Sequence, residues 1–366
     1  MNNDIYYRPP WTCGKYNAEK HMAIMFNLLS RMNYFFEAES ADVVGMVLAA
    51  GRGGRISLNE ISDKLLIGTA SLEPFFEQLS SLRLLADKEI TDKDIAEYRK
   101  ECMGLPAPPA KKAHTEKMKE EGVMSASQAY AEAVCTDGQV FDALFELTYR
   151  CFEKCIHCYN PGATRNDGER NGRGDVEELT WDDNKRIIDD LCANGLVMAT
   201  ITGGDPFKHP VVWQIIDYLY QHDFATTILT NGLGFAGKEE RIAYYYPYLV
   251  QCSLYSGEED VHDKITRTPG SWKRTVSVMD RLHELGVPID IACPLMQTNF
   301  RSYISVKPYV KKYGSSTAFD VLLTDSLDGD KCVSRHLRLT PQQLEVVLMD
   351  EDVIQYVDPN KKLTRT

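Results

Sequence analysis

Hydrophobic and polar positions follow two different rhythms along this chain, and the change falls near residue 141. Before it, two short apolar runs of β type, Ala-Ile-Met-Phe-Asn-Leu-Leu over 23–29 and Met-Asn-Tyr-Phe-Phe over 32–36, are followed by two or three helix patterns. Ser57-Leu-Asn-Glu60 spells a capping box ahead of Ile61, Leu65 and Leu66. Ser71 is placed to cap a helix whose Phe75, Phe76, Leu79 and Leu82 share one face. This spacing predicts a small α+β, winged-helix domain over residues 1–98. Residues 99–140 break the pattern: Gly104-Leu-Pro-Ala-Pro-Pro109 is stiff, and the mixed-charge, Ala-rich stretch after it predicts a linker with a marginal helix.

From 141 onward, strand-like runs alternate with helix patterns. Strands are expected at 143–148, 196–202, 225–229, 250–255, 289–295 and 318–323, with helices such as 181–194, 211–221 and 271–285 between them. That alternation predicts an α/β unit over 141–325, a parallel sheet with helical crossovers. Six βα-type units do not close an eight-stranded barrel but suffice for a partial (β/α)6 one. Residues 326–366 form a C-terminal extension. In parallel α/β folds the chemistry gathers at the C-terminal ends of the strands.

The chemistry-bearing residues fall at those ends. Cys151, Cys155 and Cys158 crowd one loop directly after the first strand. Three thiolates on a cubane leave one iron open to a ligand, whereas closed zinc sites and ordinary clusters take four protein ligands. Strand two runs into Thr202-Gly-Gly-Asp-Pro206, strand three into Thr230-Asn-Gly232, and strand four carries Ser253 ahead of Tyr255 and Ser256. Gly203 and Gly204 allow close approach of backbone to a ligand, Asp205 offers a carboxylate to a ligand ammonium, and Pro206 stiffens the turn.

With Cys-x3-Cys-x2-Cys after strand one and Gly-Gly-Asp-Pro after strand two, the chain resembles the radical S-adenosylmethionine (SAM) superfamily. The resemblance implies a [4Fe-4S] cluster on Cys151, Cys155 and Cys158, its fourth iron chelated by SAM. It implies reductive cleavage of SAM to a 5′-deoxyadenosyl radical that abstracts a substrate hydrogen. By the same resemblance, Gly203, Gly204, Asp205 and Pro206 contact the methionine amino group of SAM, and Ser253 meets its ribose or carboxylate. Two positions depart from the common pattern: Asp205 stands where Glu is frequent, and His157 where an aromatic ring precedes the third cysteine.

The winged-helix block resembles the peptide-recognition element of enzymes that modify ribosomally made peptides. It implies that residues 1–98 bind a precursor's leader as an added strand, with the runs 23–29 and 32–36 as partners. The stretch 320–343 resembles the connection to a Cys-rich auxiliary-cluster (SPASM) domain; only Cys332 follows Cys293, so the chain is expected to be truncated before that domain. The implied function is radical SAM formation of a thioether or carbon–carbon crosslink in a precursor peptide, with flavodoxin or ferredoxin as electron donor. Radical SAM chemistry on a protein or small molecule (formylglycine formation, haem-pathway chemistry) and a catalytically silent peptide-binding fragment are the alternatives.

Composition narrows the classes further. A net charge of −12 and a candidate recognition helix with two acids and no Lys or Arg argue against nucleic acid. No apolar run reaches the roughly 18 residues of a membrane helix and no signal sequence is evident, so a cytoplasmic location without membrane attachment is expected. Ten cysteines then read as metal ligands and reduced core thiols. Against the cluster stand blander readings: a zinc knuckle with His157 as fourth ligand, a plain turn at Gly203-Gly204, and packing roles for Ser253, His262 and the tyrosines 244–248. Arg267 is either a partner for the SAM carboxylate or a solvated loop residue.

Overall fold

The chain's computed structural model describes residues 4–103, 125–160, 178–315, 318–327, 331–350 and 353. Its larger part is a six-stranded sheet in the order β11-β10-β9-β8-β7-β6, every neighbouring pair parallel. The strands are β6 (Asp142–Glu146), β7 (Met198–Thr202), β8 (Ala225–Thr230), β9 (Leu249–Ser253), β10 (Ile289–Pro294) and β11 (Ala318–Asp320). Strand order equals chain order, so each crossover advances one position and the sheet curls as a partial barrel. All six expected strands are present. β6 and β9 stop at Glu146 and Ser253 because the residues after them turn off into the loops that carry the candidate chemistry.

Period-two alternation divides the sheet. Ala199, Ile201, Ile228, Val250, Cys252, Ile289, Ile291 and Cys293 are buried in the core under the helices. The intervening positions, among them Leu144, Thr200, Thr227 and Gln251, are less buried and mostly polar. Outer helices include α6 (Trp181–Ala193), held by a Thr180/Asp183 capping box, and α10 (Ser271–Glu284).

The N-terminal block folds as a three-stranded antiparallel sheet, β2 (Thr12–Asn17), β3 (Met22–Asn27) and β4 (Met32–Glu37), in the order β2-β3-β4, beside a small pair β1 (Ile5–Tyr7) and β5 (Arg55–Ser57). β2 escapes a hydrophobicity pattern because Thr-Cys-Gly-Lys-Tyr-Asn is mostly polar or small. Of the two runs expected to accept an added strand, 23–29 falls on β3, which is paired on both sides and has no free edge; β4 has no second partner strand among the described residues. Ser57 caps α2 (Leu58–Leu65) as expected, its oxygen accepting from the Glu60 N–H at 3.2 Å. Ser71 is not a cap. α3 (Thr69–Ser81) starts earlier because the N–H groups of Ser71 and Leu72 already close onto the Gly68 carbonyl.

α4 (Asp92–Met103) runs past residue 98, and the Pro-rich break at 104–109 lies outside the described residues. Within the expected linker, α5 (Ala126–Cys135) is more than marginal. A Ser125/Gln128 capping box starts it, and it buries Tyr130 and Val134. Those two join Trp11, Ile24, Phe26 and Leu28 of the small sheet with Val197, Ala225 and Tyr246, which lie at the N-terminal ends of the barrel strands. The small domain therefore closes the end of the barrel opposite the candidate loops.

An ion pair between a buried arginine and a partly buried aspartate fixes this junction. Arg8, fully buried, donates to both carboxylate oxygens of Asp223 at 2.7 and 2.9 Å and to the Leu48 carbonyl at 2.8 Å; Arg52 adds a bond to Asp223 at 3.1 Å. Removing one partner of such a pair strands a buried charge. Asp223→Asn keeps a residue that tolerates the left-handed backbone (φ 63°) but removes the charge, and a loss of about 3 kcal/mol in unfolding free energy by denaturant titration is expected.

Candidate functional site

The cysteine loop leaves β6 and is stitched to α9 (Glu259–Thr266), with the Lys154 N–H donating to the Thr266 carbonyl at 3.0 Å and the Ile156 N–H to the Ile265 carbonyl at 2.9 Å. Cys151, Cys155 and Cys158 are all free and half-buried. Burial pushes the Cys151 thiol up to about 12 and raises those of Cys155 and Cys158. Such thiols ionise when a bound cation compensates the thiolate charge, and metal binding then releases their protons.

The glycine loop is set by backbone crowding. A Cβ on Gly203 would lie 2.3 Å from the Thr148 carbonyl oxygen, and one on Gly204 would lie 2.4 Å from that of Arg150. Gly203 also has φ +132°, a conformation glycine alone adopts readily. The contact is bonded: the Gly204 N–H donates to the Thr148 carbonyl at 2.6 Å and the Asp205 N–H to that of Arg150 at 2.9 Å. The loop after β7 thus lies directly on the backbone entering the cysteine loop.

Asp205 faces inward. Its fully buried carboxylate accepts from the Phe207 N–H (3.0 Å), the Thr230 hydroxyl (2.7 Å) and the Asn231 N–H (3.1 Å). Burial raises its pKa and the three donors oppose that rise. Its polar contacts thus tie the β7 loop to the β8 loop, while the buried Pro206 opens a 3-10 turn over Pro206–Lys208.

Residues not assigned a role from sequence complete the surroundings. Asn231 donates its side-chain amide to Cys151 Sγ at 3.4 Å. Tyr255 places its hydroxyl 3.7 Å from Cys155 Sγ, and Ser253 ends β9 half-buried. The Tyr255 ring packs on His157 (centroids 4.7 Å) and stacks on His262 (5.3 Å). His262 Nδ1 accepts from the Tyr255 N–H at 3.2 Å, which leaves its Nε2 to donate to Ser271 at 3.3 Å; Ser271 in turn donates to Glu153. Burial pushes His262 down to about 4, so it is neutral, and pushes Glu153 up to about 7. Thr230-Asn-Gly232 and Tyr255 stood out in the sequence as strand-end residues; Glu153 and Ser271 carried no such signal.

Arg267 and the tyrosines are the remaining candidates. Arg267 is exposed and ends α9 in a left-handed conformation (φ 52°). Tyr244 and Tyr245 cluster with Tyr220, and Tyr246 and Tyr248 pack on the small sheet, all at the barrel's other end.

The donor set fits an iron–sulfur cluster. A cubane takes one thiolate per iron, and the loop supplies three free thiols, Cys151, Cys155 and Cys158. An amide N–H aimed at a cysteine sulfur also suits a ligating thiolate. Among the described residues no helix is long and apolar enough to cross a membrane.

Residues 145–299 match the Radical SAM superfamily, whose members use a [4Fe-4S] cluster and SAM. The antilisterial bacteriocin subtilosin biosynthesis protein AlbA of Bacillus subtilis is 29% identical over 175 residues, 47% of this chain and 37% of AlbA. Mycofactocin maturase MftC of Mycobacterium tuberculosis is 28% identical over 174 residues, 47% of this chain and 42% of MftC. The aligned region thus spans less than half of either relative. Streptococcus suis SuiB bound to precursor peptide SuiA agrees in fold, with a TM-score of 0.50 at 14% identity over 85% of this chain and 62% of SuiB.

Gly204→Ala tests the backbone contact. It is expected to lower the unfolding free energy by about 1–3 kcal/mol, as overpacking does, and to reduce iron retained after reconstitution; unchanged stability and iron content contradict the contact.

Proposed function

Because residues 145–299 form a radical SAM domain, we propose that this protein reductively cleaves SAM and uses the resulting radical to modify a ribosomally made precursor peptide, forming a thioether or carbon–carbon crosslink. The observation that carries the proposal is the cysteine loop, with its three free thiols, lying against the glycine loop at the C-terminal ends of adjacent parallel strands. Cys151, Cys155 and Cys158 hold the [4Fe-4S] cluster in this reading. When bound, that cluster supplies the electron that breaks the SAM carbon–sulfur bond.

The chain's own residues do the positioning. The backbone of Gly203 and Gly204, fixed against Thr148 and Arg150, presents carbonyl groups to the SAM ammonium, with Pro206 stiffening the turn; Asp205 holds this loop in place through Thr230 and Asn231. Ser253 faces the same end of the sheet and contacts the ribose or carboxylate. The less buried face of the sheet, with Leu144, Thr200, Thr227 and Gln251, receives the peptide segment to be modified. Electrons come from a small carrier protein such as flavodoxin or ferredoxin.

Peptide is favoured as substrate by the maturase relatives and by the small N-terminal domain. Among the described residues its three-stranded sheet has no further strand on β4, where Met32 is half exposed, and a leader adds there as a fourth strand. The domain ties into the barrel through Arg8 and Asp223, so a bound leader stays at a fixed distance from the reacting end.

Anaerobic reconstitution is expected to load about four irons per chain and, with dithionite and SAM, to yield 5′-deoxyadenosine. Cys155→Ala is expected to lose both; retention of both rejects the ligand assignment. A leader peptide encoded beside this gene is expected to bind residues 1–98 in a fluorescence titration, and SAM cleavage without such binding favours a small-molecule substrate.

A further inference from the structure

The motif Thr230-Asn-Gly232 sits at the end of the third barrel strand, and its middle residue is held from four directions. The Asn231 N–H donates to the Asp205 carboxylate at 3.1 Å, and its carbonyl accepts from the Thr275 hydroxyl at 3.1 Å. Its side-chain oxygen accepts from the Leu233 N–H at 3.0 Å. That last bond decides which way the amide faces, because the oxygen must meet a donor. The remaining amide nitrogen then points at Cys151 Sγ, 3.4 Å away, with Asn231 only 5% exposed.

A parallel arrangement serves the second thiol. Tyr255, 6% exposed, has its hydroxyl 3.7 Å from Cys155 Sγ, and its backbone N–H is fixed on His262. The ring is wedged between His157 and His262. Both donors thus belong to strand-end residues locked by neighbours, and each faces a different cysteine. Among the described residues no comparable side-chain donor is found at Cys158.

Hydrogen bonds to cluster sulfurs draw electron density from the ligand and favour the reduced, more negative state, so donor placement is one of the protein's means of setting reduction potential. We infer that Asn231 and Tyr255 are positioning residues that raise the reduction potential of the cluster by donating N–H···S and O–H···S hydrogen bonds to Cys151 and Cys155. The inference rests on the cluster reading above and goes beyond it in naming which residues tune the electron affinity of the site. Asp205 and Leu233 fix the orientation of Asn231.

The test is an EPR-monitored redox titration of the reconstituted full chain, with iron and sulfide counted in the same samples. Asn231→Ala removes the amide donor, and Tyr255→Phe removes one oxygen while leaving the ring in its packing. Each is expected to keep the parent's iron content and to disfavour reduction by about tenfold, a fall of about 59 mV for a one-electron couple. A double variant is expected to fall further than either single one. Unchanged midpoints in both variants at full iron content overturn the inference and leave the cluster reading standing. A parent protein that binds no iron overturns both. Should Asn231→Ala lose iron through its structural bonds, Tyr255→Phe alone decides: a parent-like midpoint rejects the tuning role.

Discussion

Everything at the reacting end depends on two stretches of backbone lying closer together than side chains allow. Gly203 and Gly204 rest on the carbonyl groups of Thr148 and Arg150, with two backbone hydrogen bonds closing the contact. Those carbonyls belong to the residues that lead into Cys151. The loop read as the SAM contact and the loop read as the cluster support are thus one unit, and moving one by the width of a methyl group moves the other. Asp205 extends the unit to a third strand end: its buried carboxylate gathers the Thr230 hydroxyl and the Asn231 N–H, and Asn231 reaches back to Cys151. The structure in this way closes a circuit from strand one through strands two and three and back to the first cysteine.

The opposite end of the barrel is organised by a different force. There a hydrophobic cluster of Trp11, Ile24, Phe26 and Leu28 against Val197 and Ala225 supplies most of the adhesion, by removing apolar surface from water. The Arg8–Asp223 pair contributes geometry more than energy, since desolvating two charges offsets much of their attraction. Bidentate geometry, the Leu48 carbonyl and the second arginine, Arg52, satisfy the polar atoms and leave one orientation of the small sheet. The joint therefore holds the small domain in a fixed relation to the barrel.

Much of this was legible from residue order. Apolar runs separated by helix-period segments located all six barrel strands, because parallel strands buried on one face keep strong β-type patterns. Cys151, Cys155 and Cys158 could be singled out because three thiols within one loop have few other uses. What stayed hidden is instructive. β2 is too polar to read as a strand, and Ser71 looked like a cap because sequence shows the residue type but not that the Gly68 carbonyl already opens the helix. The three donors to Asp205 come from two positions on and from 25 and 26 positions downstream, and the latter two no local pattern reveals. Glu153, Ser271 and His262 form a buried chain across more than 100 residues of sequence, and only the fold brings them together.

The cluster proposed on the three cysteines leaves one iron open for SAM. Mössbauer spectroscopy of iron-57-reconstituted protein, recorded with and without SAM, reads that open position. Four irons per chain as a [4Fe-4S] cluster are expected, one of which changes its parameters when SAM is added while the other three do not. A single tetrahedral iron or zinc, or four irons indifferent to SAM, contradicts the proposal.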